Sequence, residues 1–341
     1  MNPIISILRR GREQAGLTQS QLAEKMGCAR DTIARLETER QTVSLEHLFG
    51  YIRYCQINPQ EVFQALEPVK PGEFAYMLRM HDTHYITPEI KSRFEDWYNR
   101  CEASPKDELL INIRKVPVYE QDSDQDPRTQ GEQAADKARE VWGLGTAPIK
   151  DPVELVESLG IFIQGADLGA NDLFALSGKK AGADQYGMVI NTNKSITIER
   201  QRFSIIHELA HIIAHRDEFC TDCTETGKGR SKDPKEIYAD AFAGAFLAPA
   251  AEVKQVVHYT TKTFANNLDA IILVAKRYFG ISYQTVLLRL HSIGYFGDDQ
   301  KFGWNFGKLR KRYGKTEPHP ITEPLVFHCT HPCGAEGLSF Q

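Results

Sequence analysis

The sequence predicts an α+β fold: an N-terminal all-α bundle, a helical connector, and a larger domain in which a small sheet packs on two helices. Short helix signals, most of them with their own caps, fill the first 66 residues. Further along, strand-like segments precede an amphipathic helix that contains His-Glu-x-x-His at residues 207–211, and a second helical pattern follows. These observations place the candidate chemistry in the second half of the chain.

The composition indicates the broad class of protein. The chain has 341 residues, enough for two or three domains, and a net charge of −4, which argues against a general nucleic-acid coat but allows one basic face. No apolar stretch approaches the length of a membrane span, and the first ten residues hold too short an apolar run for a signal peptide. Seven irregularly spaced cysteines do not suggest a disulfide framework. We therefore expect a cytoplasmic protein with reduced thiols and no membrane partner.

The N-terminal bundle begins with clear helix signals. Thr18 and Gln21 form a capping box that opens a helix, and Gly27 suits its end. The next helix is predicted over about residues 29–39, with its apolar residues facing inward. N-caps predict two more helices, beginning at Ser44 and Asn58.

This order resembles the XRE/Cro helix-turn-helix family. The resemblance rests on Gly-Leu-Thr-Gln-Ser-Gln-Leu-Ala at 16–23 and Ile-Ala-Arg-Leu-Glu at 33–37, and it covers about residues 1–66. It implies that the helix at 29–39 enters the major groove of double-stranded DNA. The DNA contacts that it implies are Gln19, Arg30, Thr32 and Arg35.

Two positions depart from the family pattern. Ala29 replaces the usual hydroxyl cap, and Glu39 stands where glycine is frequent, which puts an acid close to the expected DNA backbone. Residues 1–66 hold eight Arg and Lys against seven Asp and Glu, a net of +1, so nonspecific affinity for DNA should be weak. A role in protein pairing alone therefore stays open. A homodimer is compatible with DNA binding, because such domains commonly read two half-sites.

Residues 67–130 are predicted to form a connector. A helix is expected over residues 85–102, and the acidic stretch 120–131 is expected to be exposed or flexible. That stretch is the predicted domain boundary. The metal-containing domain would then span 131–295 and leave a C-terminal extension of unknown role at 296–341.

Within residues 131–295, helices are predicted before a small sheet. The expected helices span 134–142 and 153–159, and the expected strands span 161–164, 173–177 and 186–191. An edge strand beside a metal-binding helix can pair with an extended peptide. Gly187–Ile190 is the candidate for that edge.

The His-Glu-x-x-His motif predicts a metal site. Residues four apart share one face of a helix, so His207 and His211 can bind one ion while Glu208 flanks it, as in zincins. Catalytic zinc needs a third protein ligand and an open position. With Zn²⁺ bound, Glu208 would act as the general base in hydrolysis of a peptide bond.

A second pair of residues completes the predicted site. Glu236 and Asp240 are also four apart on a helical pattern, so Glu236 can bind the metal while Asp240 accepts the ring N–H of a ligand histidine. The alternative is an ordinary acidic pair on a helix surface. His215, four residues beyond His211, is interpreted as a structural histidine.

Residues 132–249 resemble the ImmA/IrrE family of metallopeptidases. The resemblance rests on Trp-Gly-Leu-Gly-x-x-Pro-Ile at 142–149, the run from Arg200 through His211, and Glu236-x-x-Ala-Asp-x-Phe-Ala-x-x-Phe-Leu-x-Pro at 236–249. Asp240 departs from the frequent Asn of the family's wording. The resemblance implies a zinc peptidase whose substrates are other regulators, often helix-turn-helix repressors.

Three functional hypotheses follow. The first is a DNA-binding regulator that carries a zinc endopeptidase acting on a repressor or another regulatory protein. The second is a transcription factor or antitoxin-like regulator whose zincin domain only senses a ligand or partner. The third, general housekeeping proteolysis, is disfavoured by the DNA-reading module on the same chain.

Two further features of the second half of the chain say less about function. The basic and aromatic stretch 301–315 could bind nucleic acid, although a solvated helix face is the simpler interpretation. Two cysteine pairs could hold a second, structural zinc, but the sequence does not show that they meet, and reduced thiols are the preferred interpretation. These cysteines are Cys220, Cys223, Cys329 and Cys333.

Overall fold

The chain divides into two compact units, Met1–Lys70 and Pro71–Gln341. The first therefore ends at Lys70, whereas the sequence placed its end at residue 66. The predicted α+β class is confirmed, since helices and a mixed sheet are both present. The computed structural model describes residues 3–38, 45–57, 74–80, 87–102, 111–120, 123–169, 173–180, 183–214, 233–264, 267–314 and 316–327.

Four helices make up the first unit over its described residues. The predicted capping box is confirmed: the Thr18 hydroxyl accepts from the backbone N–H of Gln21 at 3.2 Å, and the Gln21 side chain accepts from the backbone N–H of Thr18 at 2.9 Å. Gly27 ends the second helix in the left-handed region at φ 67°. Ala29 gives no side-chain cap, and the caps predicted at Ser44 and Asn58 lie outside the described residues. The helices are α1 (Pro3–Gln14), α2 (Gln19–Met26), α3 (Arg30–Glu37) and α4 (Leu45–Cys55).

A buried charged network joins these helices. Glu37 accepts two hydrogen bonds from the Arg12 guanidinium, at 2.6 and 2.8 Å, and one from the Tyr51 hydroxyl at 3.0 Å. Gln19 donates a further bond to Glu37 at 2.9 Å. Burial alone would raise the pKa of Glu37, but the bonds from Arg12 and Gln19 outweigh it and the pKa is lowered. The network lies beside an apolar cluster that includes Leu8, Leu22, Ile33 and Leu36.

The first prediction concerns this network. Glu37→Gln should destabilise the first unit by about 3–5 kcal/mol, because it leaves a buried guanidinium without its carboxylate. Since the pKa of Glu37 is lowered, this stabilisation is present above the unfolded pKa and is lost as pH falls through the folded value. All three tryptophans lie in the second unit. Unfolding followed by far-UV circular dichroism should therefore shift, while the tryptophan-fluorescence transition should not. Asp31→Asn, which removes the exposed ion pair with Arg35, is the control and should change little.

The second unit contains the sheet and the remaining helices. Its first part, in chain order, is β1 (Phe74–Met80), α5 (Pro88–Glu102), α6 (Ile111–Arg114), α7 (Pro127–Val141), α8 (Pro152–Ser158), β2 (Phe162–Ala166), β3 (Leu173–Lys180) and β4 (Gly187–Asn191). The helices that follow are α9 (Ile198–Ala214), α10 (Pro234–Leu247), α11 (Ala250–Phe264), α12 (Leu268–Phe279), α13 (Tyr283–Ser292) and α14 (Asp299–Tyr313).

The four strands pair in the order β1-β3-β4-β2. The predicted edge strand at Gly187–Ile190 is wrong: β4 is internal, antiparallel to β3 and parallel to β2. Among the strands that the structure describes, β1 and β2 are the edges. The error has a physical cause, because strand order depends on pairings between distant segments, which local alternation does not encode.

The structure also differs from the predicted connector. β1 and α5, which fall within residues 67–130, belong to the sheet domain and do not form a separate linker. α5 packs its aromatic side chains on one face of the sheet, against Phe162, Leu176 and Val189. The Tyr98 hydroxyl on α5 donates to the carbonyl of Gln185 at 2.7 Å. The opposite face packs on α9, so the sheet lies between two helical layers.

The acidic stretch predicted as a boundary leads directly into packed structure. Asp126 caps α7 by accepting from the backbone N–H groups of Arg128 and Thr129, and Pro127 occupies its first turn. Gly131 lies against α10, where a Cβ would come within 2.3 Å of the carbonyl oxygen of Tyr238. The close contact requires glycine, and it holds α7 against α10.

Buried basic side chains tie the start of α9 to distant segments. Arg202 donates to the carbonyl of Lys150 at 2.9 Å and to that of Gly280 at 3.0 Å. Lys276 on α12 pairs with buried Glu199 and donates to the carbonyl of His319 at 3.1 Å. Residues 316–327, part of the predicted C-terminal extension, are therefore anchored to the domain that holds α9. Of the described helices, none combines the length and apolar character that crossing a membrane requires.

Candidate functional site

The His-Glu-x-x-His motif lies in the last three turns of α9, in the interior of the second unit. The 17-residue helix contains neither glycine nor proline, and four of its five isoleucines, together with Leu209, pack into the core. His207 and Glu208 are fully buried and His211 is 4% exposed. Burying a polar side chain costs free energy unless it has partners. Three buried polar side chains within five residues therefore indicate a functional site.

Three side chains converge from two helices. The Nε2 atoms of His207 and His211 lie 3.0 Å apart, and each lies 3.4 Å from an oxygen of the Glu236 carboxylate. These are the three side chains that the sequence predicts as metal ligands. Their ligand atoms all lie within 4.8 Å of one another.

The spacing fits zinc. Ligand atoms about 2.0–2.2 Å from a tetrahedral zinc ion lie about 3.3–3.6 Å from each other, close to the observed separations. Two imidazole nitrogens and one carboxylate oxygen are also a donor set that zinc accepts in catalytic sites. Three ligands would leave one tetrahedral position for solvent or substrate.

Glu236 is positioned by the start of α10. Asp233 caps that helix by accepting from the backbone N–H of Lys235 at 2.9 Å, and Pro234 occupies its first turn. α10 packs against α9, which brings the Glu236 carboxylate to the two histidines. Burial opposes ionisation of Glu236, but hydrogen bonding and charge interactions with His207 and His211 outweigh it and lower its pKa. The carboxylate is thus in the form that binds a cation.

Asp240 contacts the far side of the His207 ring. Its Oδ1 atom lies 2.9 Å from Nδ1 of His207, and its side chain is 58% exposed. A proton on Nδ1 facing this carboxylate would leave Nε2 as the nitrogen that faces Glu236 and His211. The distance agrees with the predicted role of Asp240, which stays a prediction.

The second prediction concerns this contact. Asp240→Ala should weaken zinc binding about 10–100-fold, because His207 loses the group that orients its ring. Competition with a chromophoric chelator measures the affinity. Asp240→Asn keeps an acceptor and should lose less. Equal affinity in the alanine variant and the unmodified chain would contradict the orienting role.

Ser177 is a residue that the sequence analysis missed. Its hydroxyl donates to Oε2 of Glu208 at 2.6 Å, and both side chains are fully buried. Ser177 lies on β3, 31 residues before Glu208, so only the packing of the sheet on α9 brings them together. The bond fixes one oxygen of the Glu208 carboxylate inside the buried site.

The predicted DNA contacts lie on α2 and α3 of the first unit. Arg30 is exposed at the start of α3 and Thr32 is half-buried. Arg35 is exposed and pairs with Asp31 at 2.6 Å. Gln19 differs, because its amide is already engaged by Glu37 inside the unit. Its role in DNA contact stays a prediction, as do those of the other three.

Several residues considered from the sequence fall outside the described part of the chain. They include Glu39, which stands where glycine is frequent in the family, the additional histidine and the cysteines of the second candidate zinc site. For these no spatial relation follows. They are Glu39, His215, Cys220, Cys223, Cys329 and Cys333.

Comparisons with protein families place two domains on this chain. Residues 8–62 match the family model described as helix-turn-helix. Residues 156–291 match a peptidase family model described as IrrE N-terminal-like domain. Both resemblances seen in the sequence are thereby confirmed. The second match contains Ser177, Glu208 and the three converging side chains.

Comparisons with whole proteins add little. No curated protein matches the chain. Among solved structures, Bacillus thuringiensis PlcR in complex with the peptide PapR7 and DNA aligns at 12% identity over 92% of this chain and 81% of that chain. Its TM-score is 0.18, which is too low to support an argument about fold or function.

Proposed function

Because the chain joins a helix-turn-helix domain to an IrrE N-terminal-like domain, we propose that it is a DNA-binding regulator carrying a zinc-dependent endopeptidase. The observation that carries the proposal is the convergence of His207, His211 and Glu236 beside the buried carboxylate of Glu208. A structural zinc site has no need of an adjacent, separately held carboxylate. A hydrolytic site needs one as a general base.

The proposed mechanism divides the work among the site residues. His207, His211 and Glu236 hold the ion, and Asp240 orients His207. Zinc bound there would supply Lewis-acid chemistry, which activates water and polarises the scissile carbonyl. Glu208 takes a proton from the attacking water and later delivers it to the leaving amine.

Ser177 acts on this mechanism through Glu208. Its hydroxyl fixes the orientation of the carboxylate, so that the base is held in place before substrate arrives. The fully buried position of both side chains limits the alternative rotamers of the pair.

The proposed substrate is a regulatory protein, including repressors with a helix-turn-helix domain. The zinc-loaded chain should cut such a repressor at one or a few bonds, and mass spectrometry of the products identifies them. The first unit serves either to recruit that repressor or to bind DNA. Deleting residues 1–66 and repeating a repressor pulldown separates these roles, since unchanged capture would rule out recruitment.

DNA binding by the first unit gives the third prediction. Arg30→Ala should weaken binding to the operator by about 1–3 kcal/mol, because Arg30 stands exposed at the N-terminal end of the helix expected in the major groove. Arg9→Ala on α1, another exposed arginine, is the control. A fluorescence titration at fixed salt measures both variants. Equal losses in the two would point to nonspecific charge effects instead of α3 docking.

A further inference from the structure

One edge of the sheet is occupied by the strand that follows the first unit. β3 pairs with β4 on one side, and on the other it pairs antiparallel with β1, from Phe74 opposite Lys180 to Leu78 opposite Leu176. β1 itself has one strand neighbour among the described residues. Without β1, the backbone N–H and C=O groups along this side of β3, here called the β3 edge, would be open to another extended segment.

The register brings β1 close to the candidate catalytic base. Met77 is the partner of Ser177, whose hydroxyl binds Glu208. Neighbouring strands are about 4.7–4.9 Å apart, so the backbone at Met77 lies one strand spacing from the residue that holds Glu208. β1 also lies against α9, the helix that carries the motif.

The opposite edge of the sheet does not offer the same position. β2 is separated from β3 by β4, and therefore lies two strands away from Ser177. Near its middle, Gly165 is covered by the ring of Phe327, which a Cβ on Gly165 would approach to 2.5 Å. An extended peptide that binds by strand addition beside Glu208 would thus have to use the β3 edge.

We infer that the β3 edge is the substrate-binding edge and that residues 74–80 occupy it in cis. This inference rests on the proposed peptidase function. The chain is then self-inhibited until β1 leaves. Occupancy by Phe-Ala-Tyr-Met-Leu-Arg-Met indicates the substrate class that competes for the edge: an extended, largely apolar segment of another protein.

The position of β1 in the chain would allow β1 to leave the β3 edge. It begins four residues after Lys70, where the first unit ends. On its other side, α5 is anchored separately, through the hydrogen bond of Tyr98 and the packing of Phe94 and Trp97 on the sheet. The Tyr98 bond is made to Gln185, and the rings of Phe94 and Trp97 lie against Gly187 on β4, so α5 has an anchor of its own when β1 leaves the β3 edge.

A release variant and a lock variant test the inference in opposite directions. In the full-length chain, residues 74–80 are replaced by seven Gly and Ser residues, which keeps the chain length and weakens strand pairing. Hydrolysis of a fluorogenic apolar peptide should rise at least about tenfold, because the free edge becomes the major state. In the lock variant, Phe74→Cys and Lys180→Cys place a disulfide across register partners. Activity should fall on oxidation and return on reduction, and the two single-cysteine variants control for the native thiols.

A binding readout separates this inference from the peptidase proposal. In the Glu208→Gln background, a fluorescein-labelled peptide with the sequence of residues 72–82 should bind the Gly-Ser variant and should be excluded from the chain with intact β1. Equal binding to both, or a locked chain as active when oxidised as when reduced, would overturn the inference. Peptide binding as predicted, with no hydrolysis by any zinc-loaded chain, would support the occupied edge and reject the peptidase.

If the Gly-Ser variant loses its fold, the lock variant still decides, because its effect is measured on one protein before and after reduction. An unchanged rate would then make β1 an ordinary structural strand.

Discussion

Glu208→Gln should lower kcat for peptide hydrolysis by about 10²–10⁴-fold, the usual contribution of a general base, while zinc content stays at one ion per chain. Glutamine has nearly the shape of glutamate but cannot accept the proton from water. Glu208 is not one of the three converging side chains, so the metal site should survive. The measurement is steady-state hydrolysis alongside metal analysis of the same sample.

The surroundings of Glu208 make the substitution a clean test. Ser177 donates to its Oε2 atom at 2.6 Å, and a glutamine amide oxygen can accept the same bond. Thus the variant should keep the local packing and lose only basicity. Glu154→Gln, an exposed acid on α8, is the control and should leave kcat unchanged.

This variant also separates the two leading functional hypotheses. If the chain regulates by proteolysis, Glu208→Gln should abolish regulation in cells and preserve both zinc and operator binding. If the zincin domain only senses a ligand or partner, the variant should regulate its target normally. Cleavage by the glutamine variant at the unmodified rate would contradict the role assigned to Glu208.

Local spacing predicted the parts of the site that lie on single helices. His207 and His211 share a face because helix geometry repeats every 3.6 residues, and the same rule pairs Glu236 with Asp240. The meeting of the two helices is not a property of that spacing. It depends on α9 and α10 packing together, which was expected because catalytic zinc needs a third protein ligand, and for which the structure supplies the contacts.

What could not be predicted depends on contacts between distant segments. Nothing in the local sequence marks Ser177 as a site residue. Its contact with Glu208 follows only from the packing of β3 on α9. Gln19 was expected at the DNA surface, and its bond to Glu37 across 18 residues became visible only in the folded unit. β1 lies in a segment interpreted as a connector, because a strand at a sheet edge depends on its partner more than on its own pattern.

His211→Ala should remove most of the zinc. The change leaves two protein ligands, and the Nε2 atom lost is the one 3.0 Å from His207 and 3.4 Å from Glu236. We expect about one zinc ion per unmodified chain and close to none in the variant after dialysis against a weak chelator. His258→Ala, an exposed histidine on α11, is the control and should retain the metal.

In the His211→Ala variant, the thermal stability of the second unit should no longer depend on zinc. A ligand that binds only the folded state stabilises it by about 4 kcal/mol when present at a thousand times its Kd. Chelation should therefore lower the Tm of the tryptophan-fluorescence transition in the unmodified chain, since all three tryptophans report on the second unit. In His211→Ala the chelator should have no effect on Tm. Stoichiometric zinc in the alanine variant, or a chelator-sensitive Tm, would place the metal elsewhere and remove the basis for assigning hydrolysis to α9, because Glu208 would then have no activated water to deprotonate.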